Sequence, residues 1–294
     1  MSAPRTRPGD PPHGSTAVAA ARSAAGSAFE VTGVTVRFGG LTALDAVSLV
    51  VAPGEVHGVI GPNGAGKTTL FNVVCGFIRP SEGALRWRGR ELRGLRPHQL
   101  AGLGISRTLQ GVGLFTGMTV LENVMAGASV RARAGFVPAL FGLPSSDRDE
   151  GALRERARAV LERLGAADTA ERYPGSLPYP VQKRVALARA LVAEPDLLML
   201  DEPAAGLSNA EMDELGDTIA ELSGDMSVML VEHHMDLVMR VCERITVLDF
   251  GKVIANGTPD EVRSDPAVLE AYLGAGDDDG PDAAGVHDDP EARH

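Results

Sequence analysis

Apolar residues early in the chain recur with a period of two. Val34, Val36 and Phe38 share one face of an extended segment, and Val47, Leu49 and Val51 share one face of the next, so residues 29–60 read as β structure. Pro53 and Gly54 supply a turn into a strand at 56–60, which feeds a glycine-rich stretch, and a helix is predicted from Lys67 to about Gly76. The period lengthens in the middle third. Leu153, Ala157, Val160, Leu161 and Leu164 mark one apolar helix face, with Arg and Glu between them. A second helix fits from Pro180 or Val181 to Ala193, with Val185, Ala188 and Val192 inward and Pro195 just past its end. Two short apolar strands follow, at 197–200 and 228–231, with a helix between them. Such alternation implies a parallel sheet, and the helices at about 112–193 form an inserted helical subdomain. No internal repeat is present.

Three stretches lack these periods. Residues 1–28 are expected to be a disordered leader, 131–149 a flexible loop rich in Gly and Pro, and 274–294 a disordered acidic tail. The tail changes how the charge is read. Of the net −11, seven carboxylates against Arg293 alone place −6 on residues 274–294, leaving −5 for everything else. A body so mildly acidic carries no nucleic-acid footprint. The 44% hydrophobic and 23% charged content of this 294-residue chain suits one large globular domain or two modest ones, and excludes a coiled coil or a disordered protein. Cys75 and Cys242 sit far apart among apolar neighbours, which reads as buried thiols in a reduced compartment rather than a disulfide or metal site. No run reaches the roughly 18 apolar residues of a membrane span, and the leader lacks the apolar stretch of a signal peptide, so a cytoplasmic location is expected.

The chemistry concentrates in residues 61–69: Gly61, Pro62, Asn63, Gly64, Ala65, Gly66, Lys67, Thr68 and Thr69. This is the pattern G-x-x-x-x-G-K-[ST] between a strand and a helix. Glycines let successive N–H groups converge on phosphate oxygens, and the helix that follows points its positive end at them. Lys67 would reach the outer phosphates and the Thr68 hydroxyl would ligate Mg²⁺. The strand at 197–200 runs into Asp201 and Glu202. Behind a phosphate loop, Asp201 suits the Mg²⁺ shell and Glu202 is placed to orient or deprotonate an attacking water. The strand at 228–231 leads to Glu232, His233 and His234, and a histidine at such an edge can reach a γ-phosphate. Gln110 lies between an apolar helix and Gly111, where its amide would touch both metal and water; a plain loop glutamine is the other reading.

These residues resemble the nucleotide-binding subunits of ABC transporters over 29–273. The resemblance implies an α/β fold: a P-loop NTPase with a RecA-like core, an antiparallel β subdomain and the inserted α-helical subdomain. It identifies 61–69 as the Walker A loop, Gln110 as the Q-loop glutamine, Asp201 and Glu202 as Walker B, 205–208 as the D-loop and His233 as the switch histidine. It also matches Phe38 to the aromatic that stacks on adenine; a core position on the strand is the alternative. The segments 113–124, 201–207, 255–259 and 271–274 are more narrowly similar to the ATP-binding subunits of branched-chain amino acid importers, and relatives that move urea or short amides share them. Implied with that family are ATP and Mg²⁺, integral membrane permease subunits that hold the chain at the inner face of the cell membrane, and an extracytoplasmic solute-binding protein. A second ABC ATPase subunit is implied too, with a heterodimer favoured over a homodimer. A soluble ABC-type ATPase acting on nucleic acid or ribosomes would usually bring two nucleotide domains, basic linkers or zinc cysteines, none of which occurs. In a small-molecule P-loop kinase the helical insertion, Gln110 and His233 would lack a purpose.

One segment departs from that pattern. Where the family carries Leu-Ser-Gly-Gly-Gln, which covers the γ-phosphate bound by a partner chain, this chain has Leu177, Pro178, Tyr179, Pro180 and Val181. Proline fits a first helical turn without strain, so the helix is expected to survive. The cost is one N–H donor toward the phosphate, a charge-assisted bond worth roughly 1.5–3 kcal/mol. The composite site completed by this segment is therefore expected to close less tightly, unless neighbouring donors compensate. Pro180→Gly should raise ATP turnover in the assembled transporter; an unchanged rate would show compensation.

Overall fold

The computed structural model describes residues 29–108, 111–128 and 144–274. The expected leader, almost all of the expected tail, most of the 131–149 loop, and Gln110 lie outside these residues. Ten strands and eight α-helices are described. Four strands, β1 (Phe29–Phe38), β2 (Leu41–Val51), β4 (Glu82–Trp87) and β5 (Arg90–Glu91), form an antiparallel sheet in the order β2-β1-β4-β5. The other six are β3 (Val56–Ile60), β6 (Ile105–Arg107), β7 (Leu197–Asp201), β8 (Ser227–Val231), β9 (Arg244–Asp249) and β10 (Lys252–Gly257). They form a sheet ordered β10-β9-β3-β8-β7-β6, parallel except for the β9–β10 hairpin.

Burial on both faces explains why β7 and the 228–231 part of β8 read as apolar runs rather than alternating ones; β3 is equally buried and keeps one polar residue, His57, bonded to Glu55 and Thr246. Leu198 and Leu200 enter one core with Val228 and Leu230, while Leu197 and Met199 enter the opposite core with Met229 and Val231. The first core is closed by helices: α2 (Val120–Ala128), α3 (Pro144–Arg163), α4 (Tyr179–Leu191), α5 (Asn209–Ser223) and α6 (Met235–Val241). The second is closed by the antiparallel sheet and by α1 (Lys67–Val74), which fills it with Leu70, Phe71, Val73 and Val74. Two short helices, α7 (Pro259–Ser264) and α8 (Pro266–Gly274), follow the hairpin. Both cysteines are buried and free; burial pushes the Cys75 thiol up to about 12 and raises Cys242 as well, which leaves both inert.

Three expectations change. The apolar segment before Gln110 is not the expected helix: Ile105–Arg107 is a three-residue strand in parallel register with 197–199, too short for periodicity to tell strand from helix. The segment 131–149 is not loop to its end, since α3 begins at Pro144. A proline at the first helical position starts a helix as readily as it signals a loop. Phe38 does not continue the inward face of Val34 and Val36. The pairing of β1 with β2 shifts register between Val36 and Arg37, and Phe38 ends up opposite Leu41 and 51% exposed.

A buried amide organises the turn before α2. Asn123 is fully buried; its Nδ2 donates to the carbonyls of Phe115, Met118 and Thr119 at 3.0, 3.2 and 2.9 Å, and its Oδ1 accepts from Phe115 N at 2.8 Å. This holds Phe115 and Met118 on the surface, where both are exposed. Asn123→Ala should cost about 2 kcal/mol, because it removes four hydrogen bonds from the turn and leaves the part-buried Phe115 N–H and Met118 carbonyl without their partner. Urea unfolding measures the loss, and a midpoint equal to the parent's would contradict this account.

Candidate nucleotide site

The glycine loop leaves β3 at Ile60 and enters α1 at Lys67. It is pressed against two other strands. A Cβ on Gly61 would lie 2.1 Å from the Leu248 carbonyl, and Gly66, at φ +103°, would bring one to 2.9 Å from the Ala43 carbonyl. Neither position admits a side chain without moving backbone. The first turn of α1 has neither a side-chain cap nor an acidic residue, so its N–H groups are left for an anion. Lys67 folds back over the loop, its Nζ donating to the carbonyls of Gly61 at 2.6 Å and Pro62 at 2.9 Å. Burial lowers its pKa, and the charge of Glu202 opposes that shift. Thr68, next along the helix, is exposed.

Opposite the loop stand the ends of β7 and β8. Burial pushes the Asp201 carboxyl up to about 6; the neighbouring Glu202 adds to the shift, Arg107 opposes it and Glu232 adds again. Glu202 has φ +46°, a left-handed conformation that is strained for a residue with a side chain, and its N–H donates to the Val231 carbonyl at 2.8 Å. His233 is half exposed, with Nδ1 3.9 Å from Glu202 Oε1 and 3.4 Å from Glu232 Oε2. Its ring lies against that of His234, centroids 4.1 Å apart.

Reasoning from sequence gave no role to Glu232, which is completely buried. One carboxylate oxygen accepts from Ala204 N at 2.8 Å; the other accepts from His233 N at 2.7 Å and His234 N at 3.2 Å and lies 2.9 Å from His234 Nδ1. Burial alone would raise its pKa, but the His234 bond and the three backbone bonds together hold it below the usual range. The signal available in sequence was an acidic residue closing the apolar run at 228–231, where an unpartnered charge would be untenable.

The segment with two prolines also takes a definite place. Leu177 is buried, Pro178 caps α4, and Pro180 is its second residue; the helix runs uninterrupted to Leu191, as expected for a first-turn proline. Gln182 Nε2 donates to the Leu177 carbonyl at 2.9 Å. Lys183 was not singled out in the sequence. Its Nζ donates to the carbonyl of Pro203 at 2.7 Å and lies 3.4 Å from that of Glu202. Tyr179 lies over Gly206, where an added Cβ would sit 3.0 Å from its ring. Thus the structure brings Lys67, Asp201, Glu202 and His233 to one sheet edge, attaches 177–183 to the stretch after Glu202, and leaves the Phe38 ring on the surface of the antiparallel sheet.

A glycine loop between a buried strand and a helix, faced by acidic ends of neighbouring parallel strands, defines a P-loop nucleotide hydrolase. The chain belongs to the ABC transporter family, whose family model matches residues 44–205; a second, described as branched-chain amino acid ATP-binding cassette transporter, matches 252–278. It is 44% identical over 246 residues to the high-affinity branched-chain amino acid transport ATP-binding protein LivG of Escherichia coli, spanning 83% of this chain and 96% of that one. Among solved structures, an ATP-binding cassette of an ABC transporter in its ADP conformation is similar at TM-score 0.74 and 31% identity, covering 84% of this chain and 99% of the other. A dimeric ATP-binding cassette in a post-hydrolysis state, bound to ADP and Pi, is similar at TM-score 0.66 and 25% identity, covering 79% and 98%. The chain is an ABC-type ATPase of a transporter. Among the described residues no helix is long and apolar enough to cross a membrane.

The Asp201 carboxyl generates a pH prediction. Its folded pKa of about 6 lies above the ordinary value of 3.8, so ionisation opposes folding; the penalty is absent below the lower value and complete above the upper one. Without nucleotide or divalent metal, Asp201→Asn should melt higher than the parent at pH 8, and the gap should narrow as the pH falls from 7 to 5. A gap that stays constant across that range would rule out Asp201 as its source.

Proposed function

We propose that this chain is the ATP-hydrolysing subunit of an importer for branched-chain amino acids. The observation that carries the chemistry is the approach of His233 to Glu202, 3.9 Å, beside a Lys67 ammonium that feels the same carboxylate. In this reading the N–H groups of 61–69 and the Lys67 ammonium cradle the phosphates, replacing the Gly61 and Pro62 carbonyls as partners of Nζ. Glu202 orients a water toward the γ-phosphorus and accepts its proton as the new P–O bond forms and the bond to ADP breaks. His233 donates to the γ-phosphate oxygen and loses that contact when phosphate leaves. Gln110 contributes to metal and water binding. Phe38 offers an exposed ring to adenine, and 177–181 complete the site of a partner chain.

The residues present also suit Mg²⁺. Asp201 is a desolvated carboxylate beside two more acidic groups, with Arg107 opposing, a charge excess that a dication neutralises; the exposed Thr68 hydroxyl is a second oxygen ligand. When bound, the ion would offset charge on the transferring phosphoryl group.

The cargo reading is supported by the similarity to LivG, a branched-chain amino acid transport ATP-binding protein, and by the match at 252–278. It implies a cytoplasmic chain, peripheral at the membrane through permease subunits. The permease would dock near 110–124, with Phe115 and Met118 exposed there. It further implies a second, different ATPase subunit and an extracytoplasmic solute-binding protein.

Lys67→Ala should weaken ATP binding by about tenfold or more, the equivalent of one charge-assisted hydrogen bond; titration with a fluorescent ATP analogue checks it. A strain lacking the chain should lose uptake of labelled leucine, regained with the parent and not with Lys67→Ala. Loss of urea or amide uptake in place of leucine uptake would reassign the cargo. An intact uptake profile would point to an ATPase without a permease.

A further inference from the structure

The strained backbone at Glu202 is gripped from two directions by side chains that belong to other functional segments. Lys183 reaches across from α4, its ammonium 2.7 Å from the Pro203 carbonyl and 3.4 Å from that of Glu202. Glu232 reaches from the end of β8 and accepts the Ala204 N–H at 2.8 Å. Between them, the two peptide carbonyls and one N–H of the turn that follows Glu202 are paired with buried or half-buried charges. Each of those charges has a second attachment. Glu232 also takes the N–H groups of His233 and His234, so one carboxylate binds the turn after Glu202 and the backbone under His233 into a single unit. Lys183 sits 5.4 Å from the Tyr179 ring centroid, and that ring covers Gly206 four residues beyond Glu202.

We propose that Lys183 and Glu232 are positioning residues that hold the Glu202 backbone in its left-handed conformation and tie it to the α4 start and to His233. The inference rests on reading Glu202 as the group that handles the attacking water. Neither side chain touches that water; both act through the Glu202 backbone. A left-handed φ at a residue with a side chain relaxes unless its surroundings over-determine it. Releasing either grip lets the Glu202 carboxylate drift relative to a phosphate that Lys67 and the glycine loop still bind. Binding should therefore persist while turnover falls. The same link gives the 177–181 segment a route to this chain's own Glu202. Engagement of α4 by a partner's nucleotide would move Lys183, and with it the carbonyls of Glu202 and Pro203.

The test uses the full chain and measures kcat, KM for MgATP, affinity for a fluorescent ADP analogue, and thermal unfolding. Lys183→Met and Glu232→Gln should each lower kcat about tenfold or more, the scale of a small misplacement, while KM and analogue affinity stay within about twofold. Lys183→Arg, which can still donate to carbonyls, should regain most of the loss. In a Glu202→Gln background neither substitution should lower the residual rate further, because both act through the missing carboxylate. An unchanged kcat in Lys183→Met and Glu232→Gln, with Glu202→Gln inactive, overturns the positioning roles and leaves the role of Glu202 standing. Full turnover in Glu202→Gln overturns that role and this inference together. Further loss in the Glu202→Gln background, or an Arg variant no better than the Met one, also overturns the inference. If Glu232→Gln unfolds, the Lys183 series decides alone.

Discussion

In-register parallel pairing of β3 with β8, and of β8 with β7, is what the site depends on. Val59 lies opposite Val231, and Val231 opposite Asp201, so the chain leaves all three strands at one edge. Gly61 follows Val59 by two residues, Glu202 follows Asp201 by one, and His233 follows Val231 by two. A slip of one residue in either pairing would exchange the two cores and drop a polar strand end into one of them. The apolar runs that bury both faces of the sheet therefore also set where the phosphate loop stands relative to the acids.

An edge assembled this way concentrates negative charge. Asp201, Glu202 and Glu232 lie close together, and they reach tolerable states by different routes. Glu232 is buried yet ionised because three backbone N–H groups and His234 meet its oxygens. Among the described residues no donor is bonded to the Asp201 carboxylate, and burial pushes its pKa up to about 6. Glu202 keeps a side chain near solvent but has its backbone in a left-handed turn. One acid is satisfied internally, one is held in want of a cation, and one is strained; that division suits structural, ligand-binding and reactive roles respectively.

What could be read from sequence tracks how local each cause is. The strand at 56–60, the start of α1, and the strands at 197–200 and 228–231 were legible because apolar runs and glycine spacing act within a few residues. Phe38 misled because its face is decided by a register shift against β2, a property of two strands rather than one. Ile105–Arg107 misled because its strand character comes from a partner about ninety residues away. Pro144 misled because proline both ends loops and starts helices. The roles of Glu232 and Lys183 could not be read for a deeper reason. Their bonds join β8 and α4 to a turn 20 to 28 residues distant, and no periodicity records a side chain whose partner is someone else's backbone.

That pattern bears on the two prolines before α4. Pro180 removes an N–H from the face the helix would offer to a partner's nucleotide, yet Lys183, one turn further along, still reaches Glu202 and Pro203. The outward face of the segment and its inward anchorage are separable: substitution at 178–180 alters what the helix presents, while 182 and 183 keep it attached. A chain can therefore carry an altered signature without losing the geometry of its own glycine loop and carboxylates. In an assembly of two unlike ATPase subunits, such a chain would have an intact phosphate loop on its own side and an altered cover on its partner's.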